Sequence, residues 1–431
     1  MHTLEQLRTG QLIGAKEIRI HNQLTEFPME ILALADTLEL LDLSQNQLTQ
    51  LPDELACLTK LKILFASDNQ FDHLPEVLGR CPQLEMIGFK SNHIKTVSND
   101  AIPSTCRWLI LTNNQIAQLP SSLGQCPRLQ KLALAGNQLT SLPQSMADCH
   151  NLELIRLSAN QLPAIPDFLW QLPKLSWLAI AGNPCTTPLT QASKLTVVDQ
   201  AHIRIGAILG QGASGVIYQG QWQQTASAAL TVAIKIFKGE VTSDGYPEDE
   251  LSACLQAGRH PNLINTLASL DSRQQSGVIL SLVPSSYSNL GLPPSLASCT
   301  RDTFCPSLSL SQQTVHQLLL QGMDVINHLH QQGLCHGDIY AHNMLVNNDG
   351  HLLLGDMGAA TPLQALSTDE QRAMQAIEVR AIGCVIDDLL SLCPEAMEQL
   401  IRLRDDCWQP MASQRPTLAT LQEQLQTWAN H

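Results

Sequence analysis

The feature that most constrains the fold is a repeat that runs through the first half of the chain. Seven segments follow the pattern LxxLxLxxNxL, and successive repeat asparagines lie 22 or 23 residues apart. These residues are Asn46, Asn69, Asn92, Asn114, Asn137, Asn160 and Asn183. One such unit is too short to bury its own apolar face, so neighbouring units must stack and share a core. The pattern therefore predicts a curved solenoid of short strands.

The other repeat positions predict how each unit turns. The asparagine follows the strand, where its amide can satisfy backbone groups that the turn exposes. Leu-Pro pairs then end the strand and begin the convex side, at Leu51-Pro52, Leu74-Pro75, Leu119-Pro120 and Leu142-Pro143. Three cysteines follow a repeat asparagine by twelve residues, and we expect Cys81, Cys126 and Cys149 to be small buried hydrophobic residues. These units resemble the leucine-rich repeat, and a degenerate copy, EIRIHNQLTEFP, is expected to cap the array.

Two positions of each strand are expected to face the concave side. The first set is Leu40, Ile63, Met86, Trp108, Lys131, Leu154 and Trp177, and the second is Asp42, Phe65, Gly88, Ile110, Ala133, Arg156 and Ala179. Contiguous exposed apolar area usually marks a protein-binding site, although a loose repeat consensus is the alternative explanation. We predict that a protein substrate or regulator binds there, at Trp108, Trp177, Phe65, Ile63 and Met86.

The repeat period stops after Asn183, where PCTTPLTQASK has the Pro, Thr and Ser content of a linker. We therefore predict a repeat domain at 1–185, a linker at 186–200 and a second domain at 201–431. The second domain begins with LGQGASGVIYQG, which contains Gly210, Gly212 and Gly215 between β-forming segments. A lone GxGxxG is weak evidence, because dinucleotide-binding folds also use it. Here VIY continues as a strand, which predicts a hairpin lying over a nucleotide.

Three further motifs follow in order. They are VAIK, ending at Lys235; HGDIYAHN, with Asp338 and Asn343; and Asp356-Met357-Gly358. Together with the HPN turn and the CW…RPT tail they resemble a protein kinase domain. The resemblance implies an α+β bilobal kinase-like fold after the α/β solenoid. It also implies that the chain is similar to leucine-rich-repeat protein kinases of a soluble, bacterial type.

The kinase resemblance also assigns roles to individual residues. Asp338, Lys235, Asn343 and Asp356 are the implied catalytic residues, with Asn343 and Asp356 holding Mg²⁺. ATP is the implied nucleotide, bound by Leu209, Gly210, Gln211, Gly212, Gly215, Ile217, Ala233, Lys235 and Glu250. Glu250 is expected to pair with Lys235, and Glu248 is the alternative.

Several residues depart from the kinase pattern. Gly337 replaces the arginine that normally precedes the catalytic aspartate, and Tyr340 replaces a lysine common in serine/threonine kinases. Only 22 residues separate Asp356 from Glu378, which is expected to open the next helix, so the activation segment should be short, and no APE motif is present. The stretch 285–307 has no evident kinase counterpart. Regulation by a phosphorylated activation loop is therefore not expected.

Charge, hydropathy and cysteine content argue against several other classes of protein. The net charge is −14, which argues against non-specific binding to nucleic acid. No stretch of about 18 apolar residues predicts a membrane span. The thirteen cysteines are an odd number scattered through a long chain, which favours a reducing cytoplasm over a disulfide scaffold. They form no CxxC pair, which argues against most zinc sites and redox motifs. The sequence thus predicts a protein kinase, serine/threonine-directed more than tyrosine-directed, with a catalytically weak scaffold or a small-molecule phosphotransferase as alternatives. It does not predict the oligomeric state.

Overall fold

The computed structural model describes residues 1–21, 23–186, 197–212, 214–225, 228–271, 277–395 and 397–428. Most of the predicted linker, 187–196, lies outside these residues. By internal contacts the chain forms two compact units, the first containing 1–156 and 160–174 and the second containing 157–159 and 175–431. The last repeat strand therefore belongs to the same unit as the kinase-like region.

The repeats build one parallel sheet, with its strands in chain order. The strands are β1 (Glu17–Arg19), β2 (Leu40–Asp42), β3 (Ile63–Phe65), β4 (Met86–Gly88), β5 (Trp108–Ile110), β6 (Lys131–Ala133), β7 (Leu154–Arg156) and β8 (Trp177–Ala179). The helix α1 (Leu4–Arg8) precedes them, and α2 (Asp167–Trp170) lies on the convex side. Short 3₁₀ helices occupy most other convex positions, and those at Asp53–Cys57, Glu76–Arg80, Ser121–Gln125 and Gln144–Asp148 each follow a Leu-Pro pair.

The repeat asparagines form a buried hydrogen-bonded ladder, as the sequence predicts. Asn69 donates to the carbonyl oxygens of Ala66 in its own unit (3.1 Å) and Leu43 in the preceding unit (2.9 Å). Its side-chain oxygen accepts a hydrogen bond from the amide of Leu48 at 2.9 Å. The side chain thus satisfies backbone groups that the solenoid turn would leave unpaired inside the core.

The three repeat cysteines are also buried, with at most 1% of the residue exposed. Burial raises the pKa of Cys81 and Cys126 to about 11, and that of Cys149 to about 12. These thiols therefore stay neutral and act as small apolar side chains.

The second unit begins with a twisted six-stranded sheet, ordered β10-β11-β12-β14-β13-β9. Its strands are β9 (Val197–Asp199), β10 (Ile203–Gln211), β11 (Gly215–Thr225), β12 (Ala228–Phe237), β13 (Thr266–Asp271) and β14 (Gly277–Ser281). Val232, Ile234 and Ile279 form the centre of its apolar core. The helix α3 (Pro247–Ala257) connects β12 to β13 and begins with proline in its first turn.

The remainder of this unit is mainly helical. It contains α4 (Gln312–Gln331), α5 (Thr368–Leu392), α6 (Glu398–Cys407) and α7 (Leu418–Trp428). Short strands flank the loops that form the candidate site. They are β15 (Tyr287–Asn289), β16 (Leu334–Cys335), β17 (Met344–Asn347), β18 (Leu352–Leu354) and β19 (Thr361–Pro362). β15, β17 and β18 form a three-stranded sheet, and β16 pairs with β19. The HGDIYAHN loop lies between β16 and β17.

Candidate active site

An ionic cluster joins the two parts of the second unit. The Lys235 Nζ on β12 lies 2.5 Å from Glu250 Oε1 on α3 and 3.3 Å from Asp356 Oδ1. Burial disfavours the charge on Lys235, but the carboxylates of Asp356 and Glu250 outweigh it and raise the pKa of the lysine. The lysine in turn lowers the pKa of Asp356. The pairing residue on α3 is thus Glu250 rather than Glu248.

The glycine-containing hairpin lies beside this cluster. β10 and β11 pair antiparallel, so the strand after Gly215 continues as the sequence predicts and does not begin a helix. Ile217 is opposite Lys235 across β11 and β12. At the end of the hairpin, the Gly212 amide donates to the Gly215 carbonyl at 3.0 Å, and Lys238 Nζ donates to the Gly212 carbonyl at 3.2 Å.

The cleft under the hairpin has a volume of about 670 Å³, which includes space at its mouth that is open to solvent. Five of the nine predicted nucleotide-binding residues line it: Gly212, Gly215, Ile217, Lys235 and Glu250. Leu209, Gly210, Gln211 and Ala233 are not among its lining residues, and Leu209 is 51% exposed. The walls also contain residues that the sequence reasoning did not identify: Ser214, Cys254, Leu263, Ile264, Val278, Leu280, Leu354, Gly355 and Met357.

The HGDIYAHN loop is fixed by hydrogen bonds on both sides of Asp338. Asn343 Nδ2 donates to the Asp338 carbonyl and to its carboxylate Oδ2, both at 2.9 Å. His336 accepts from the Asp338 amide at 3.2 Å, and its other ring nitrogen donates to the Gly355 carbonyl at 3.0 Å. The Gly355 amide donates to the Asn343 carbonyl at 3.0 Å. The loop is therefore attached directly to the residue that precedes Asp356.

Asp356 has a left-handed backbone conformation, with φ of 57°, which is uncommon for a residue with a side chain. The Gly358 amide donates to its Oδ1 at 3.3 Å and supports this conformation. Helix α5 begins at Thr368, with a Ser367–Glu370 capping box. Only residues 359–367 therefore lie between Gly358 and the helix. The expectation that Glu378 opens this helix is wrong, because Glu378 lies inside it, and the activation segment is shorter than the sequence suggests.

Gly337, which replaces the usual arginine, has structural reasons to be glycine. Its φ is 74°, and a Cβ there would collide with the Ala359 carbonyl and lie 3.0 Å from the Leu178 carbonyl. Its amide donates to Glu378 Oε1 at 2.6 Å, and Glu378 Oε2 accepts from His330 at 2.7 Å. Although burial opposes its charge, the hydrogen bond from His330 lowers the pKa of Glu378. This glutamate therefore anchors the loop from α5.

The stretch 285–307 also supports the loop, although no signal in its sequence predicted this. Both carboxylate oxygens of Asp302 accept from His342, one from its amide at 2.9 Å and one from its ring at 2.7 Å. The Asp302 side chain is fully buried. The neighbouring Arg301 donates to the Cys384 carbonyl at 3.0 Å and pairs with Asp387 at 3.1 Å and with Asp388. The stretch thus ties α5 to the residue before Asn343.

We expect Asp302→Ala to lower the kcat of a phosphoryl transfer at this loop about tenfold, because small misplacements of a reacting group are costly. The change should also destabilise the fold by about 3 kcal/mol, because it breaks a buried polar pair. Asp302→Asn should fall between this variant and wild type, since an amide oxygen still accepts one bond. Steady-state kinetics and denaturant melts measure both effects. An Asp302→Ala enzyme with unchanged kcat would contradict the positioning role.

The concave positions do not share one environment. Ile63, Phe65 and Trp108 are partly exposed, and Lys131 Nζ lies 4.3 Å from the centroid of the Trp108 ring. The expected exposure is wrong for eight other residues, all of them buried: Leu40, Met86, Gly88, Ala133, Leu154, Arg156, Trp177 and Ala179. Met86 is flanked by the large side chains of Ile63 and Trp108 on adjacent strands. Partner binding at Ile63, Phe65 and Trp108 stays a prediction.

Trp177 requires the clearest correction. It is 1% exposed, its ring stacks on Tyr340 with centroids 4.4 Å apart, and its Nε1 donates to the Ile339 carbonyl at 3.0 Å. The side chain is therefore not free to anchor an outside protein. It packs against the loop that carries Asp338.

Comparisons with known proteins agree with this geometry. The family described as protein tyrosine and serine/threonine kinase matches residues 203–391. Leucine-rich-repeat families match residues 37–58, 104–162 and 127–184. Among the described helices, none has both the length and the apolar character that a membrane crossing requires.

The curated relatives match through part of their length. A probable cyclin-dependent serine/threonine-protein kinase of Dictyostelium discoideum is 27% identical over 46% of this chain and 33% of its own. Cyclin-dependent kinase 11.1 of Caenorhabditis elegans is 28% identical over 35% of this chain and 20% of its own. The epidermal growth factor receptor of Drosophila melanogaster is 27% identical over 48% of this chain and 14% of its own. This chain thus spans a third or less of each of these three relatives.

The repeat ladder, the Lys235–Glu250–Asp356 cluster and the family matches lead to one assignment. The chain contains leucine-rich repeats followed by a region that matches the protein tyrosine and serine/threonine kinase family.

Proposed function

We propose that this chain is an ATP-dependent protein kinase that transfers the γ-phosphoryl group to a protein hydroxyl, on serine or threonine rather than tyrosine. The observation that carries the proposal is the cluster that the buried pair Lys235–Glu250 forms with Asp356 at the cleft, with the Asp338 loop hydrogen-bonded to Gly355 beside it. A dead scaffold has no need to keep a buried lysine charged between two carboxylates, because burying such charges costs free energy.

Each residue has a role in phosphoryl transfer. Lys235 would hold the α- and β-phosphates while Glu250 keeps its ammonium in place. Asp338 is half-buried, and would orient the acceptor hydroxyl and accept its proton. The apolar walls, with Ile217, Val278, Leu280 and Leu354, suit a flat adenine ring.

The residues present also fit Mg²⁺. Both hydrogen bonds shown for the Asn343 side chain use its Nδ2, so its Oδ1 can serve as a ligand. Asp356 contacts Lys235 and Gly358 through Oδ1, which leaves Oδ2 for a cation. Carbonyl and carboxylate oxygens are the ligands that Mg²⁺ prefers, and a bound Mg²⁺ would neutralise phosphate charge during transfer.

Incubation with γ-labelled ATP and Mg²⁺ tests the proposal. We expect label on protein, at phosphoserine or phosphothreonine after acid hydrolysis. Label found only on small molecules would overturn the proposal in favour of a small-molecule phosphotransferase. Absence of transfer to any acceptor would favour a binding scaffold.

Activity should not require prior phosphorylation. Residues 359–367 are too few for a long regulatory loop, and Gly337 removes the arginine that would bind a phosphate there. Phosphatase-treated protein should therefore transfer phosphate at its full initial rate. A lag that shortens as enzyme concentration rises would show activation in trans and contradict this expectation.

We further propose that a protein substrate or regulator binds the partly exposed concave residues Ile63, Phe65 and Trp108. Phe65→Glu with Trp108→Glu should raise KM for a protein substrate at least about tenfold, because an unpaired buried carboxylate weakens an interface. The ATP hydrolysis rate without substrate should stay unchanged. Met29→Glu, at an exposed convex residue, is the matched control. Equal KM values for both variants would contradict a concave docking site.

The compartment is also a proposal. All thirteen cysteines are free thiols, ten of them buried, which supports a reducing, cytoplasmic location.

A further inference from the structure

The first observation concerns the two residues that follow Asp338. The Ile339 carbonyl accepts from Trp177 Nε1 at 3.0 Å, and the Tyr340 ring lies parallel to the Trp177 ring, with 6° between their planes. Trp177 is 1% exposed and Tyr340 4% exposed. An offset aromatic stack and a buried hydrogen bond together stabilise one loop conformation. Trp177 therefore contacts the backbone next to the proposed catalytic aspartate.

The residue that follows β8 contacts the segment after Gly358. The Ile180 amide donates to Thr361 Oγ1 at 3.2 Å, and Thr361 is fully buried. Leu178 contributes the carbonyl oxygen that a side chain at residue 337 would meet at 3.0 Å. The absence of a side chain at Gly337 is thus what lets this strand approach the loop closely.

The next turn contacts the start of α3, the helix that carries Glu250. A Cβ at Gly182 would lie 2.5 Å from Asp249 Oδ2 and 3.0 Å from Tyr246 Cδ2. A Cβ at Gly245 would lie 2.8 Å from the Ser158 Cβ. Gly182 and Gly245 both have positive φ, at 70° and 139°, so glycine is required there for conformation as well as space.

We propose that residues 157–159 and 175–182, here called the brace, form a positioning element of the kinase, with Trp177 as its main positioning residue. This inference rests on the proposed kinase function. The brace contacts the catalytic loop, the segment after Gly358 and α3, the three parts whose arrangement brings Lys235, Glu250, Asp338 and Asp356 together. It would replace the long activation segment that this chain lacks.

The arrangement of the active-site residues when the brace is docked indicates whether the brace activates or inhibits the enzyme. With Trp177 in place, the Lys235–Glu250 pair is formed at 2.5 Å and Asn343 is bonded to Asp338 at 2.9 Å. A contact made in the assembled arrangement shifts the population towards it. The brace therefore acts as an activator, whereas an inhibitory brace would increase activity when removed.

Kinetics of Trp177 variants test this inference. Trp177→Ala should lower kcat for transfer to protein at least about tenfold, because the loop loses its support, with KM for ATP within about twofold. Trp177→Phe keeps a ring for the stack and should recover much of the loss. Trp170→Ala, at a half-buried tryptophan on convex helix α2, is the matched control and should keep wild-type kcat.

Hydrogen–deuterium exchange of the full chain gives a readout independent of turnover. Trp177→Ala should increase exchange in peptides covering 336–343 and leave exchange in 40–133 unchanged. An active wild type with unchanged kcat and exchange in Trp177→Ala would overturn the brace while the kinase function stands. A rise in kcat would overturn the activating role. An inactive wild type would overturn the proposed function, and this inference with it.

Discussion

Asp356→Asn is expected to lower kcat for phosphoryl transfer by about 10²- to 10³-fold or more, because the charge that would hold the cation is lost. The Asp356 side chain is 47% exposed, and the Lys235–Glu250 pair remains without it. The melting temperature should therefore change by only a few degrees. Initial-rate kinetics and a thermal melt measure both quantities. Residual kcat within a few-fold of wild type would exclude the role given to this aspartate.

Lys235→Met should abolish transfer as well, but the burial of its pair changes what we expect for stability. Lys235 is 7% exposed and Glu250 4% exposed, so removal of the lysine leaves a buried carboxylate without its partner. Breaking a buried ion pair in this way costs about 3 to 5 kcal/mol. Lost activity in this variant therefore does not separate catalysis from folding, and Asp356→Asn is the cleaner test.

Gly337→Arg restores the arginine of the kinase motif, yet it is expected to abolish the proposed phosphoryl transfer. Arginine would have to adopt a φ of 74°, and its Cβ would collide with the Ala359 carbonyl. We expect a loss of at least about 2 kcal/mol in the free energy of unfolding and at least about 100-fold in kcat. A denaturant melt and initial-rate kinetics of the purified variant measure these losses.

Two alanine variants separate the effect of backbone strain from the effect of the collision at Gly337. Gly258 has a comparable φ of 65°, but a Cβ there meets nothing within 4 Å. Gly258→Ala should therefore show only the backbone strain, whereas Gly337→Ala should show the strain and the collision. Equal losses of stability in the two variants would mean that close packing at Gly337 is unimportant. Gain of activity in Gly337→Arg would contradict the packing that we describe.

Much of the repeat fold could be predicted because its determinants are local and periodic. Each asparagine bonds within its own unit and to the previous one, so a spacing of 22 or 23 residues contains the necessary information. The kinase motifs were predictable for a similar reason, because Lys235, Asp338, Asn343 and Asp356 keep recognisable short contexts. Even Glu250 could be chosen, since its helix and its lysine are only 15 residues apart.

The environment of Trp177 could not be predicted from the repeat pattern. Trp108 and Trp177 occupy the same repeat position, and that pattern treats them alike. What separates them is a contact with Ile339, 162 residues away in the chain. Gly337 did indicate such a contact, because glycine at the position where the kinase motif has arginine is consistent with a close approach by another segment.

Asp302 and Glu378 were harder to identify for a different reason. Asp302 accepts from the amide and the ring of His342, whereas Glu378 accepts from the Gly337 amide and the ring of His330 on α4. Such hydrogen bonds leave no spacing pattern in the sequence. Polar side chains in loops bond in many geometries, so a Pro- and Ser-rich stretch does not show which of its residues is buried. Only the fold brings Asp302 to His342.

The initial rate of γ-phosphoryl transfer to protein hydroxyls, compared between wild type and Asp338→Asn at saturating ATP and Mg²⁺, tests the central claim most directly. We predict Mg²⁺-dependent label on serine or threonine with wild type, and at least about 100-fold slower labelling with the variant at unchanged nucleotide affinity. Equal labelling by both proteins would contradict the role proposed for Asp338, and no protein labelling by the wild type would contradict the proposal that this chain is a protein kinase.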